Sequence, residues 1–158
     1  STLMRSSAAS DVYKRQVFSQ MANATDFSDP VTVLYGHNIV NDAMFATLHA
    51  YEDPAFFADN PELYVYLPDR ILAYEVVAAY EYDDRHILNS FDFSDPAVRT
   101  GYFASVLAPD DPKANVRDGA QLDADDRIVQ LSTCRSALTS DPVRYIVTAV
   151  LVGEKPAA

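Results

Sequence analysis

The stretch RYIVTAVLV at 144–152 constrains this chain more than any other part of it. It is apolar at both parities, so as a strand it has no polar face to turn toward water. It therefore predicts a central strand in a sheet covered on two sides. Further strands are predicted around it. VTVLYG at 31–36 is β-branched and apolar and reads as a buried strand. ELYVYLP at 62–68 and ILAYEVVAAYEY at 71–82 flank Asp69-Arg70 and read as a hairpin. RIVQLSTC at 127–134 is another strand, and Val17 to Ser19 is the end of one more.

Helical patterning interrupts these strands. Asn41-Asp42 predicts the cap of a helix with Met44, Phe45, Leu48 and Tyr51 on one face. A short helix fits around Pro54–Ala58. Asp95-Pro96 supplies an N-cap followed by Pro at the first helical position. Val98, Tyr102, Phe103, Val106 and Leu107 follow at helical spacing, and Pro109 ends the helix. The connection from Asp83 to Arg127 is long, and such connections in a compact domain are uncommon unless functional. DFSDP occurs at 26–30 and again at 92–96, with Ser-Asp-Pro at 140–142, and reads as recurring turn and cap chemistry. About six strands with two or three inserted helices, several strands following one another directly, argue against a doubly wound α/β fold. They predict a mostly β barrel or sheet decorated by helices.

A chain of 158 residues suits one domain with a real core. Its net charge of −11 argues against nucleic-acid binding, which needs clustered Lys and Arg, and disfavours docking on anionic lipid. No apolar run approaches the roughly 20 residues that cross a bilayer. Residues 1–16, STLMRSSAASDVYKRQ, differ from the rest: Arg5, Lys14 and Arg15 stand against Asp11, and no strand or helix period runs through them. This stretch resembles translated sequencing-adapter read-through joined at Gln16/Val17. It is expected to be a non-native or disordered tail making few contacts.

Cys134 is the only cysteine, which excludes an internal disulfide and a multi-cysteine zinc site. A period of two sets Ile128, Gln130, Ser132 and Cys134 on one face of their strand. Sharing a face with two polar residues favours a reactive thiol at a groove over a packed structural one. A free thiol titrates near about 8.5 and needs a neighbouring base or cation to act at neutral pH. His49 and His86 read as surface residues, and no metal-ligand spacing of histidines exists. His37 ends the VTVLYG strand in YGHN, a catalytic or a structural placement. Arg144 begins the last strand, either as a surface residue or as a fixed cation able to stabilise an oxyanion.

YGHN at 35–38, LSTC at 131–134 and Arg144 in RYIV, in that order, resemble the sortases, the cell-wall transpeptidases of Gram-positive bacteria. The resemblance covers residues 17–153, and the helix-bearing connection at 83–127 is similar to class B. Gln130 stands where the family pattern has its first Thr. The resemblance implies a sortase-type β-barrel with inserted helices, here with its first strands and N-terminal membrane anchor missing, and a C-terminal tail at 154–158. An opened barrel is expected to be poorly stable.

The resemblance also implies a chemistry. Cys134 would attack a Thr carbonyl in the C-terminal sorting signal of a secreted protein. His37 would move protons and Arg144 would hold the oxyanion. Tyr35, Asn38, Ser132 and Thr133 would contact substrate, with the 95–107 helix as a wall. The acceptor would be the amine of a peptidoglycan precursor or a pilin lysine, at the outer face of the plasma membrane. No metal or organic cofactor is implied. A papain-like hydrolase would place Cys before His in sequence, the reverse of the order here. A non-catalytic cell-surface β domain is the other alternative.

Overall fold

The strand at the C-terminal end lies in the middle of the sheet, as its two apolar faces require. The computed structural model describes residues 2–5, 17–19, 27–36, 47–83, 87–134 and 143–156. Their strands are β1 (Thr2–Arg5), β2 (Val17–Ser19), β3 (Val31–Gly36), β4 (Glu62–Tyr66), β5 (Arg70–Asp83), β6 (Asn115–Val116), β7 (Ile128–Cys134) and β8 (Val143–Pro156). A 3₁₀ helix spans Thr47–Glu52, and the α-helices are α1 (Pro54–Asp59), α2 (Ile87–Ser90) and α3 (Pro96–Leu107). The sheet runs β1-β4-β5-β8-β7-β3-β2, with β6 on β5. β1 pairs with β4 and β3 with β7 in parallel; the other ladders are antiparallel.

Along β8, Tyr145 to Val150 are all buried. Tyr145, Val147 and Ala149 join one core with Leu34, Leu63 and Val129. Ile146 and Val150 join a second with Val31, Val33 and Ile128. Each fully buried side chain of this size contributes about 1.5–3 kcal/mol, so covering both faces is what fixes β8 at the centre.

The second core is roofed by α3. Asp95 caps the helix, its carboxylate accepting from the Ala97 N–H at 2.9 Å, and Pro96 occupies the first turn, where its missing N–H costs nothing. Tyr102, Phe103 and Val106 are its buried face. On the other side the 3₁₀ helix and α1 cover the first core through Leu48, Tyr51 and Phe57. Asp53 caps α1 in the same way. Met44 and Phe45, expected on a helix with Leu48 and Tyr51, lie outside the described residues.

The fold is mostly β with inserted helices, and three details differ from the sequence reading. Eight strands are described rather than about six, because β1 and the two-residue β6 carry too little pattern to be read. Of the tail 1–16, Thr2–Arg5 is not without contacts: it pairs along β4, by backbone bonding that needs no side-chain pattern, while residues 6–16 lie outside the described residues. Among the described residues the sheet is not closed into a barrel; closure needs its end strands to pair, and β1 and β2 offer four and three residues.

One irregularity matters for the site. From Tyr74 to Val76 the β5 side chains alternate with the first core inward. The register then shifts between Val76 and Ala78, and Val77, Ala78 and Tyr80 all join the second core. This bulge inverts the parity of the strand end. Tyr80 comes opposite Ile146 and Tyr82 opposite Arg144, on the side of the sheet that α3 covers.

Candidate functional site

β7 ends at Cys134, and its Cα partner across the antiparallel ladder is Arg144, the second residue of β8. Directly opposed residues in such a ladder have Cα atoms about 4.5–5.5 Å apart. On the other edge of β7, Tyr35 is registered on Ser132 and Gly36 on Thr133. Gly36 precedes His37 in sequence as Thr133 precedes Cys134. His37 and Asn38 themselves lie outside the described residues. Arg144 is half-buried, and Ser132 is buried at 2% exposure.

A groove of about 580 Å³ opens between α3 and the ends of β5 and β8. Tyr80, Tyr82, Phe91, Tyr102, Ser105 and Val143 are among its walls. Tyr82 and Val143 carry it to the Arg144 position, one strand from Cys134. Phe91 and Phe93 pack on Tyr102 with ring centroids 4.8 and 5.0 Å away, which fixes the helix side of the wall. A second hollow of about 300 Å³ lies between the two DFSDP segments, with Asp29 and Pro30 on one side and Asp92, Phe93 and Ser94 on the other. Arg99 closes it, donating to the carbonyls of Phe93 and Ala124 at 2.7 and 2.8 Å. In the second segment, Asp92 accepts from the backbone and hydroxyl of Ser94, which holds its carboxyl below the usual range, and Asp95 is the α3 cap.

The polar face of β7 is not open. Gln130 is fully buried under α3 and is bonded on every side. Its Oε1 accepts from the Tyr102 hydroxyl at 2.8 Å, and its Nε2 donates to Tyr80 Oη at 3.2 Å and Thr148 Oγ1 at 3.1 Å. Tyr80 and Thr148 share a further bond of 3.3 Å. Burial pushes the Tyr80 phenol up, against the opposing pull of its bonds to Thr148 and Gln130, so the group stays protonated. Gln130 therefore signals a buried network rather than a solvated surface, and Ser132 is buried on the same strand. Tyr80, Tyr102 and Thr148 escaped the sequence reading; a lone Gln amid apolar residues, with tyrosines on neighbouring elements, was their only signal.

His49 has partners that the sequence did not show. It is half-buried, stacked on Tyr145 with centroids 5.4 Å apart and hydrogen-bonded to Glu52 at 2.8 Å. Tyr145 belongs to the first core, so His49 stands across the sheet from the face α3 covers. His86 lies outside the described residues. Among the described residues no group of three His, Cys, Asp or Glu could hold a metal ion. No described helix is long and apolar enough to cross a membrane.

A sortase domain model matches residues 6–152. Sortase B of Listeria monocytogenes is 28% identical over 142 residues, which are 86% of this chain and 54% of that protein. Sortase B of Clostridium perfringens superposes with a TM-score of 0.71 at 25% identity, over 87% of this chain and 73% of the other. A sortase B from the type II pilus of Streptococcus pneumoniae superposes with a TM-score of 0.65 at 23% identity, over 95% of this chain and 83% of the other. The chain spans about half the length of the curated relative it matches.

Proposed function

The chain belongs to the sortase family, its likeness being to the class B members, and from that premise we propose that it is a cysteine transpeptidase acting on sorting signals. Cys134 is the nucleophile. Its thiolate adds to the carbonyl of a Thr in the signal, the C–N bond breaks, and a thioester forms. His37 gives a proton to the departing amine and takes one from the incoming amine, whose attack on the thioester makes the new amide and frees the sulfur. Arg144 meets the negative oxygen of the tetrahedral intermediates with a fixed cation.

The observation that carries this reading is the direct pairing of Cys134 with Arg144, whose neighbours Val143 and Tyr82 line an aromatic groove. A carbonyl attacked at the end of β7 would lie within reach of a side chain rooted on the adjacent strand. An extended substrate would lie along the groove, with Tyr35, Asn38 and Thr133 on its β3–β7 side and α3 opposite; Ser132, expected from the sequence to touch substrate, is 2% exposed and would lie beneath it. The acceptor is the amine of a peptidoglycan precursor, at the outer face of the membrane. The likeness to a pilus-associated sortase B favours a pilin lysine as the second reading.

The test is cleavage of a library of Thr-containing peptides, with either a short peptidoglycan-type amine or a lysine-bearing pilin fragment as acceptor. The proposal expects ligated product with one acceptor and none from Cys134→Ala. Turnover without ligation to any amine would reduce the protein to a hydrolase. Equal turnover by Cys134→Ala would remove the mechanism.

A further inference from the structure

Gln130 has a place in the fold that the chemistry above does not use. It lies four residues before Cys134 on the same strand, about 13 Å away at the usual rise, too far to touch the reacting atoms. A buried amide is costly unless bonded, and this one meets that cost with both of its N–H donors and its carbonyl. The bonds join four elements: α3 through Tyr102, β7 through Gln130, β5 through Tyr80 and β8 through Thr148. All four side chains are at most 4% exposed. An apolar side chain of the same size would fill the space without these costs, so what the network adds is a specified position.

That position bears on the groove, because Tyr80 and Tyr102 are both in its walls. The shorter Thr of the family pattern would not extend from β7 to the Tyr102 hydroxyl as the Gln amide does. We propose that Gln130 is a positioning residue which, by holding Tyr102 and so α3 against β7, sets the width of the groove and the affinity for substrate. The inference rests on the reading of Cys134 as the nucleophile and adds to it a determinant of substrate binding that never touches the reacting atoms.

The experiment compares the 158-residue chain with Gln130→Leu, Tyr102→Phe and the double variant. Amide hydrogen exchange is read on α3, and steady-state kinetics on the best-cleaved library peptide. Loss of the link is expected to speed α3 exchange by about tenfold, the equivalent of one net hydrogen bond; in Tyr102→Phe, which leaves the Gln130 bonds to Tyr80 and Thr148 in place, β7 and β8 stay unchanged. KM is expected to rise about 5–10-fold while kcat stays within about twofold, the signature of lost binding without lost chemistry. The double variant should be no worse than the worse single one, because both cut the same link. Unchanged α3 exchange, a fall in kcat at constant KM, or additive effects would each overturn the proposal. Should Gln130→Leu fail to fold, Tyr102→Phe removes one hydroxyl and carries the test alone. A wild-type chain that cleaves no peptide overturns the parent reading and the substrate part with it. Unchanged exchange alongside normal activity overturns only the positioning.

Discussion

Cys134 and Arg144 occupy directly opposed positions on neighbouring antiparallel strands, the last residue of β7 against the second of β8. The ladder below them is continuous from Ile128↔Val150 upward, with every step in register. The backbone positions of Cys134 and Arg144 are therefore set by strand pairing in the middle of the sheet.

From this placement the effect of losing the cation follows. Arg144→Ala should lower kcat/KM for peptide cleavage by about 10²–10³-fold, the usual loss when one oxyanion donor is removed. Arg144→Lys should recover little of it, since a point charge on a flexible stem does not reproduce a planar fork of donors. Steady-state kinetics decide the matter: a loss below tenfold in Arg144→Ala would remove Arg144 from the chemistry.

Phe103 tests the roof of the second core. It is 1% exposed on the buried face of α3. Phe103→Ala should cost about 3–5 kcal/mol by lost transfer and cavity terms together. The measurement is the urea midpoint at constant m-value. A cost under 1 kcal/mol would mean that α3 does not seal this face.

At high pH the buried phenols should govern stability. Burial raises Tyr74, Tyr80 and Tyr145 above the ordinary value of 10.0. A raised acid contributes its full stabilisation below the unfolded value, and that contribution is lost as pH climbs past 10 toward the folded value. These three phenols should ionise only as the chain unfolds, so the last part of the phenolate absorbance, beyond that of the exposed tyrosines, should appear together with the loss of circular dichroism. Ionisation of all the tyrosines with the fold intact would contradict the burial described here.

The reach of the sequence was uneven for physical reasons. The two-faced apolarity of 144–152, the Asp95-Pro96 cap and the hairpin at Asp69-Arg70 are local signals, and each element formed where its signal lay. The bulge between Val76 and Ala78 is not local: it is a mismatch between β5 and β8, and it alone turns Tyr80 and Tyr82 to the side of α3. Gln130 and Ser132 were legible as polar but not as buried, because the tyrosine that satisfies Gln130 is 28 residues away on another element. The ring partner of His49, Tyr145 on β8, was not legible for the same reason. Of the site, Cys134 and Arg144 were readable as a pair in chain order. Their opposition across the ladder required the register.

The most direct test of the central claim is mass spectrometry of the chain mixed with a cleavable Thr-containing peptide and quenched in acid, without an acceptor amine. The account predicts a mass increase equal to the acyl fragment, located on the Cys134 peptide, absent from Cys134→Ala and discharged when an amine is added. Peptide cleavage by Cys134→Ala, or an adduct on any other residue, would contradict it.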